Sequence, residues 1–204
     1  MSREETKRVD ATGRERDSSL RLFFAVELSA EVRAASASHI ERLRRDFPRL
    51  RVSWARPASL HVTLKFLGEV EASRVASLSL AGAGAAKGLA PFNLSAASAG
   101  AFPPSGAARV LWLGIGDDSG RLALLQRRLE EGCEAVGFPR ESKSFKPHLT
   151  IARLRTPGGA AALSEAHRQT PFGPFEFNVS EFVLMRSELG PGGSRYTPLS
   201  HHPF

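Results

Sequence analysis

The chain has 204 residues, 42% hydrophobic and 24% charged, which supports a buried core and excludes disorder over most of its length. No run approaches ~18 uninterrupted apolar residues, so no transmembrane helix is expected. Lys and Arg outnumber Asp and Glu by 28 to 21, and the net charge of +7 favours anionic partners, nucleic acid first and small phosphates second.

Residues 1–19 carry five basic and five acidic side chains and no hydrophobic period, so they are expected to be a disordered leader ahead of one domain over 20–204. They lack the apolar core of a secretory signal. The single cysteine, Cys133, excludes an intramolecular disulfide and a cysteine zinc site and suits the cytoplasm. Leu20–Leu28 reads as a buried strand. Ser29 is the expected N-cap of a helix that runs to about Phe47, where Pro48 ends it.

Val52–Trp54 is a short strand. Leu60–Leu67 alternates, with Val62, Leu64 and Phe66 on one face, His61, Thr63 and Lys65 on the other, and Gly68 as its stop. Ala72–Ala86 is helical. Phe92–Phe102 and Arg109–Ile115 are strands around a Pro-Pro-Ser-Gly turn. Asp118–Val136 is an amphipathic helix with Leu122, Leu125, Leu129 and Cys133 on one stripe. His148–Leu154 alternates again. A Thr156-Pro-Gly-Gly loop and a helix over Ala160–Arg168 follow. Phe175–Arg186 reads as one long strand, and Ser194–Leu199, after a Gly190-Pro-Gly-Gly turn, as the last. This mixed order indicates an α+β fold with largely antiparallel sheets.

Two segments echo each other. His61-Val-Thr63-Leu and His148-Leu-Thr150-Ile both read His-apolar-Thr-apolar, and each sits among strands and helices in similar order. This suggests a duplicated half-domain. Residues i and i+2 of a strand share a face, so each His points with its Thr. Across a cleft, one imidazole can take a proton while the other gives one. Threonine hydroxyls can donate to phosphate oxygens. A single His-x-Thr would carry little weight; two at matching points carry more.

These motifs, with Arg21-Leu-Phe-Phe-Ala-Val-Glu-Leu, Trp54, Lys65-Phe-Leu-Gly-Glu-Val, Val110-Leu-Trp-Leu-Gly, Phe145-Lys-Pro, Ser187 and Arg195-Tyr196, resemble the bacterial and archaeal RNA 2′,3′-cyclic phosphodiesterases. That family is also called the 2′-5′ RNA ligases and belongs to the 2H phosphoesterase superfamily. The resemblance spans nearly all of residues 20–204. It implies a bilobal fold of two pseudo-symmetric lobes, with antiparallel sheets flanking a central cleft and helices outside. It implies hydrolysis of RNA 2′,3′-cyclic phosphate to a 2′-phosphate and reversible ATP-independent 2′-5′ ligation, with no cofactor and no metal. No phosphate-binding Gly-x-x-x-x-Gly-Lys loop or metal-spaced cluster occurs in the sequence. The partner implied is RNA with a cyclic phosphate end or a related small nucleotide, bound by a monomer away from membranes.

By the same resemblance, His148 is the general base and His61 the general acid, while Thr63 and Thr150 hold phosphate oxygens. Arg153, five positions after His148, contacts phosphate, although strict alternation turns it away unless a bulge re-aims it. Lys65 either assists His61 or is solvated. His39 and His167 are expected at the surface, and His201-His202 is not expected to bind metal. Cys133 is expected in the core, and Phe102 and Trp112 either pack there or stack on a base. Arg42, Arg44, Arg45, Arg49, Arg51 and Arg56 either track a nucleic-acid backbone or form a solvated face. Two other functions remain open: a phosphodiesterase for another small cyclic or 2′-linked nucleotide, and a catalytically silent RNA-binding module.

Overall fold

A computed structural model describes residues 19–155, 158–190 and 193–204. Most of the expected leader, Thr156-Pro157 and Pro191-Gly192 lie outside the described residues. The elements are β1 (Ser19–Glu27), α1 (Ala30–Asp46), β2 (Val52–Trp54), β3 (His61–Glu71), α2 (Val75–Ala86), β4 (Phe92–Phe102), β5 (Val110–Gly116), α3 (Arg121–Ala135), β6 (His148–Leu154), α4 (Ala160–Gln169), β7 (Phe175–Val179), β8 (Glu181–Gly190) and β9 (Gly193–Pro203). Short 3₁₀ turns precede β3 and α2. The Ser29 hydroxyl caps α1 by accepting from the Val32 N–H at 3.3 Å.

Two antiparallel sheets carry the fold. One has the order β3-β1-β8-β9 and the other β2-β6-β5-β4-β7. Helices α2 and α3 pack on the first through β3, β8 and β9, and α1 and α4 pack on the second through β7 and β4. The lobes are therefore interleaved, because α1 follows a strand of the first sheet and covers the second, while α3 does the reverse. Two halves of the sequence do not form one lobe each, although the His-x-Thr echo alone suggested it. The expected strand Phe175–Arg186 is in fact two. It breaks at Ser180, and the chain crosses there from one sheet to the other.

The unbroken apolar run of β1 is buried on both faces. Leu22, Phe24 and Val26 join the main core, while Phe23 and Ala25 form a smaller cluster with Val183, Met185 and Tyr196. From that cluster Phe23 and Tyr196 reach the space between the two sheets. Cys133 is fully buried on the apolar stripe of α3.

The strands that bear the two motifs share an irregularity. In β3 the partners of β1 jump from Thr63 to Lys65, leaving Leu64 unpaired. In β6 the partners of β5 jump from Thr150 to Ala152, leaving Ile151 unpaired. Each bulge falls three positions after its histidine. An extra residue inverts the alternation beyond it. Lys65 therefore turns inward to 5% exposure, and Phe66 turns out to 62%. A second irregularity at Leu67, followed by Gly68 at φ +73°, lets β3 continue to Glu71 where a stop was expected.

Lys65 is thus neither on the face of His61 nor solvated. Its ammonium lies 2.5 Å from Glu130 on α3 and donates to the Pro139 carbonyl at 2.8 Å. Glu130 also accepts from Gln126 and from the Glu141 N–H. The pair pins α3 and the segment after it to the back of the motif strand. Removing one member of a buried pair strands the other charge, so Lys65→Met should cost about 3–5 kcal/mol in urea unfolding. Adding Glu130→Leu should recover most of that loss. A single variant as stable as wild type would contradict the pinning role.

Candidate active site

Between the two sheets lies a cleft of about 810 Å³. His61, Thr63, His148, Thr150 and Arg153 all line it. The bulge at Ile151 resolves the difficulty with Arg153, which strict alternation would have turned away. Ala152 takes the buried position and Arg153 the cleft position. Because the bulges match, Phe66 and Arg153 occupy equivalent places, each five positions after a histidine. One side of the cleft receives an aromatic ring there, the other a guanidinium.

The histidines are anchored alike. His61 Nδ1 lies 2.9 Å from the Ser59 carbonyl, and His148 Nδ1 lies 2.7 Å from the Lys146 carbonyl. A carbonyl oxygen only accepts, so each Nδ1 carries a proton and each Nε2 is left for a ligand. Rings back both imidazoles. Phe23 lies 4.7 Å and Tyr196 5.0 Å from His61, centroid to centroid, and Phe102 lies 5.2 Å from His148.

Burial pushes His61 down to about 4. Its bond to the Ser59 carbonyl opposes the shift, and Arg33 and His148 add to it. The resting His61 is therefore neutral at pH 7, with an electron pair at Nε2.

Phe102 and Trp112 belong to the wall behind His148. Trp112 pairs with Thr150 across β5 and β6 and shares its face. Gly100 leaves the room its indole needs, since a Cβ there would sit 2.1 Å from the ring. Neither Phe102 nor Trp112 is among the residues that line the cleft. His39 and His167, expected at the surface, are buried at 6% and 0% exposure. His167 Nε2–H donates to the Trp112 carbonyl at 3.0 Å, and its Nδ1 lies 2.9 Å from His39 Nε2. With both rings neutral, His39 donates and His167 accepts, which ties α1 and α4 to the strand beside Thr150. Burial pushes His39 down to about 4 and lowers His167 as well, keeping both neutral. His202 is buried too, while His201 reaches Glu181 at 3.2 Å. Among the described residues no group of three or more His, Cys, Asp or Glu could hold a metal ion.

Arg21, Phe23, Ser53, Trp54, Arg56, Arg155, Ser187 and Tyr196 also line the cleft. Apart from Arg56, spacing gave no sign that these faced the site. Their shared face emerges only once register and bulges are fixed.

The 2′-5′ RNA ligase superfamily pattern matches residues 31–191. The chain belongs to that superfamily. Proteins named RNA 2′,3′-cyclic phosphodiesterase are among its relatives. The one from Thermus thermophilus is 38% identical over 88% of this chain and 88% of its own length. The one from Escherichia coli is 35% identical over 88% and 93%. A Geobacillus stearothermophilus relative is 34% identical, but the match spans only 52% of that longer protein. Among solved structures, one from T. thermophilus superposes with a TM-score of 0.76 at 34% identity, covering 90% of this chain and 97% of that one. E. coli LigT complexed with 3′-AMP gives 0.73 at 33% identity, covering 92% and 99%. These likenesses agree with the two-sheet cleft described above. No helix among the described residues is long and apolar enough to cross a membrane.

If turnover needs one imidazole protonated and one neutral, the acidic limb of kcat/KM reports the group that resists protonation most. It should lie near pH 4, with activity lost as pH falls through that value. An acidic limb near 6.5 would contradict the burial argument for His61.

Proposed function

We propose that the protein hydrolyses RNA 2′,3′-cyclic phosphate ends to 2′-phosphomonoesters by two-histidine acid–base catalysis. One observation carries this reading. Two His-x-Thr strands face a single cleft, each histidine has spent Nδ1 on the carbonyl two residues earlier, and arginines rather than carboxylates surround them. The names of the relatives support the same substrate.

In the proposed reaction, His148 Nε2 takes a proton from water as the oxygen attacks phosphorus. The bond from phosphorus to the 3′ oxygen breaks, and His61 Nε2 protonates that oxygen. Thr63 and Thr150 donate to the non-bridging oxygens, and Arg153 balances their charge. His61 has no proton to give in the resting site at pH 7. The phosphate anion supplies the attraction that charges it, so proton uptake accompanies substrate binding. With a 5′-hydroxyl in place of water as the nucleophile, the same groups form a 2′-5′ bond without ATP, and the reverse of that step cleaves the bond back to the cyclic phosphate.

The burial of His61 favours one second reading, in which the two imidazoles exchange roles and the neutral His61 is the base. His61→Ala and His148→Ala should each lose about 10²- to 10⁴-fold in kcat with EDTA present. A substrate with sulfur at the departing 3′ position needs no general acid. It should restore turnover to His61→Ala under the first reading and to His148→Ala under the second. Full activity of either alanine variant on the ordinary substrate would refute both.

A further inference from the structure

The cleft holds more positive charge than the reacting group can use. Arg21, Arg56, Arg153 and Arg155 line it, and among the described residues no carboxylate does. A cyclic phosphodiester carries one negative charge, and Arg153 with the two threonines suffices to hold it. The remaining guanidiniums are exposed along the cleft and give it a positive potential that favours further anions.

Arg155 is placed for such an anion. It lies two residues beyond Arg153, and at about 3.3 Å per strand residue that sets its Cα roughly 7 Å farther from His148 along the same wall. Arg155 therefore stands one step outward from the arginine assigned to the reacting phosphate. Its guanidinium is held in position, with Nε–H donating to Ser53 Oγ at 2.9 Å on the neighbouring strand β2. Ser53 lies across from Arg153, so Arg153 and Arg155 form one wall from the reaction centre outward. Arg56 is fixed as well, with Nη2 donating to the Ser194 carbonyl at 2.5 Å. The cleft, at about 810 Å³, lies toward the upper end of the range for small-molecule sites.

We propose that Arg155 forms a second anion subsite, which takes a phosphodiester upstream of the reacting end of an oligonucleotide. This rests on the cyclic phosphodiesterase reading and extends it, because the preferred substrate then has at least one internucleotide phosphate beside the cyclic one. A mononucleoside cyclic phosphate fills only the catalytic subsite. Arg155 contributes to KM for longer chains and takes no part in the chemical step.

The test compares uridine 2′,3′-cyclic phosphate with a uridine dinucleotide and pentanucleotide ending in the same group, for wild type and Arg155→Gln. Wild type should gain roughly tenfold in kcat/KM from mononucleotide to dinucleotide, the size expected of one charge-assisted contact. Arg155→Gln should lose most of that gain through KM while its mononucleotide turnover stays within about twofold. An equal loss on all three substrates would place Arg155 at the reacting phosphate, and an undiminished gain would leave it no role; either overturns the proposal. Fluorescence anisotropy with a labelled pentanucleotide bearing a 2′-phosphate end tests the subsite without turnover. Arg155→Gln should bind about tenfold more weakly, with a salt dependence reduced by about one phosphate contact. Unchanged affinity overturns the subsite, whereas absent hydrolysis with the affinity loss intact would count only against the cyclic phosphodiesterase reading.

Discussion

The matched bulges after the two His-x-Thr pairs are the constraint on which the site depends. A strand presents alternate side chains to opposite faces, so an uninterrupted β3 would put Lys65 in the cleft and Phe66 in the core. An uninterrupted β6 would turn Arg153 away from His148. One unpaired residue in each strand, Leu64 and Ile151, reverses both outcomes. The first strand then buries a lysine that must find a carboxylate, and Glu130 on α3 supplies it. The second strand gains a guanidinium on the cleft face, beside His148 and Thr150. The ion pair and the arginine wall thus follow from a shared departure from regular pairing.

The same logic accounts for the asymmetry of the two histidines. Both use Nδ1 in the same way, so both present Nε2. Their surroundings differ. His61 is enclosed by Phe23 and Tyr196, and burial holds it neutral, while His148 has Phe102 at its edge. In the proposed mechanism the neutral His61 gains its proton as the substrate anion enters. Substrate charge and acid–base readiness are thereby coupled in the proposed mechanism. The buried His39–His167 pair acts further out, joining two helices to the Trp112 carbonyl beside Thr150.

Much of this was legible in the sequence wherever one local signal decided the outcome. The Ser29 cap, the α3 stripe with Cys133, the two motif strands and the α+β class follow from capping chemistry and periodicity. The bulges do not, because nothing in Thr-Leu-Lys or Thr-Ile-Ala marks the unpaired residue. Regular alternation consequently puts Lys65 and Phe66 on the wrong faces and leaves Arg153 dependent on a bulge. His39 and His167 look solvated when each helix is read alone. They are buried because the helices meet, a contact between residues 128 positions apart. The break at Ser180 was likewise hidden, since a strand that changes sheets keeps its apolar character throughout. The arginine wall needed the register of β2 on β6.

The central claim is that two imidazoles on opposed strands open a cyclic phosphate toward one ribose oxygen. The most direct measurement is phosphorus NMR of the product formed by the wild-type protein, in EDTA, from a short RNA ending in 2′,3′-cyclic phosphate. A 2′-phosphomonoester as the sole product is predicted, because a fixed acid serves only the 3′ oxygen. A 3′-phosphate, or a mixture of the two, would contradict the account.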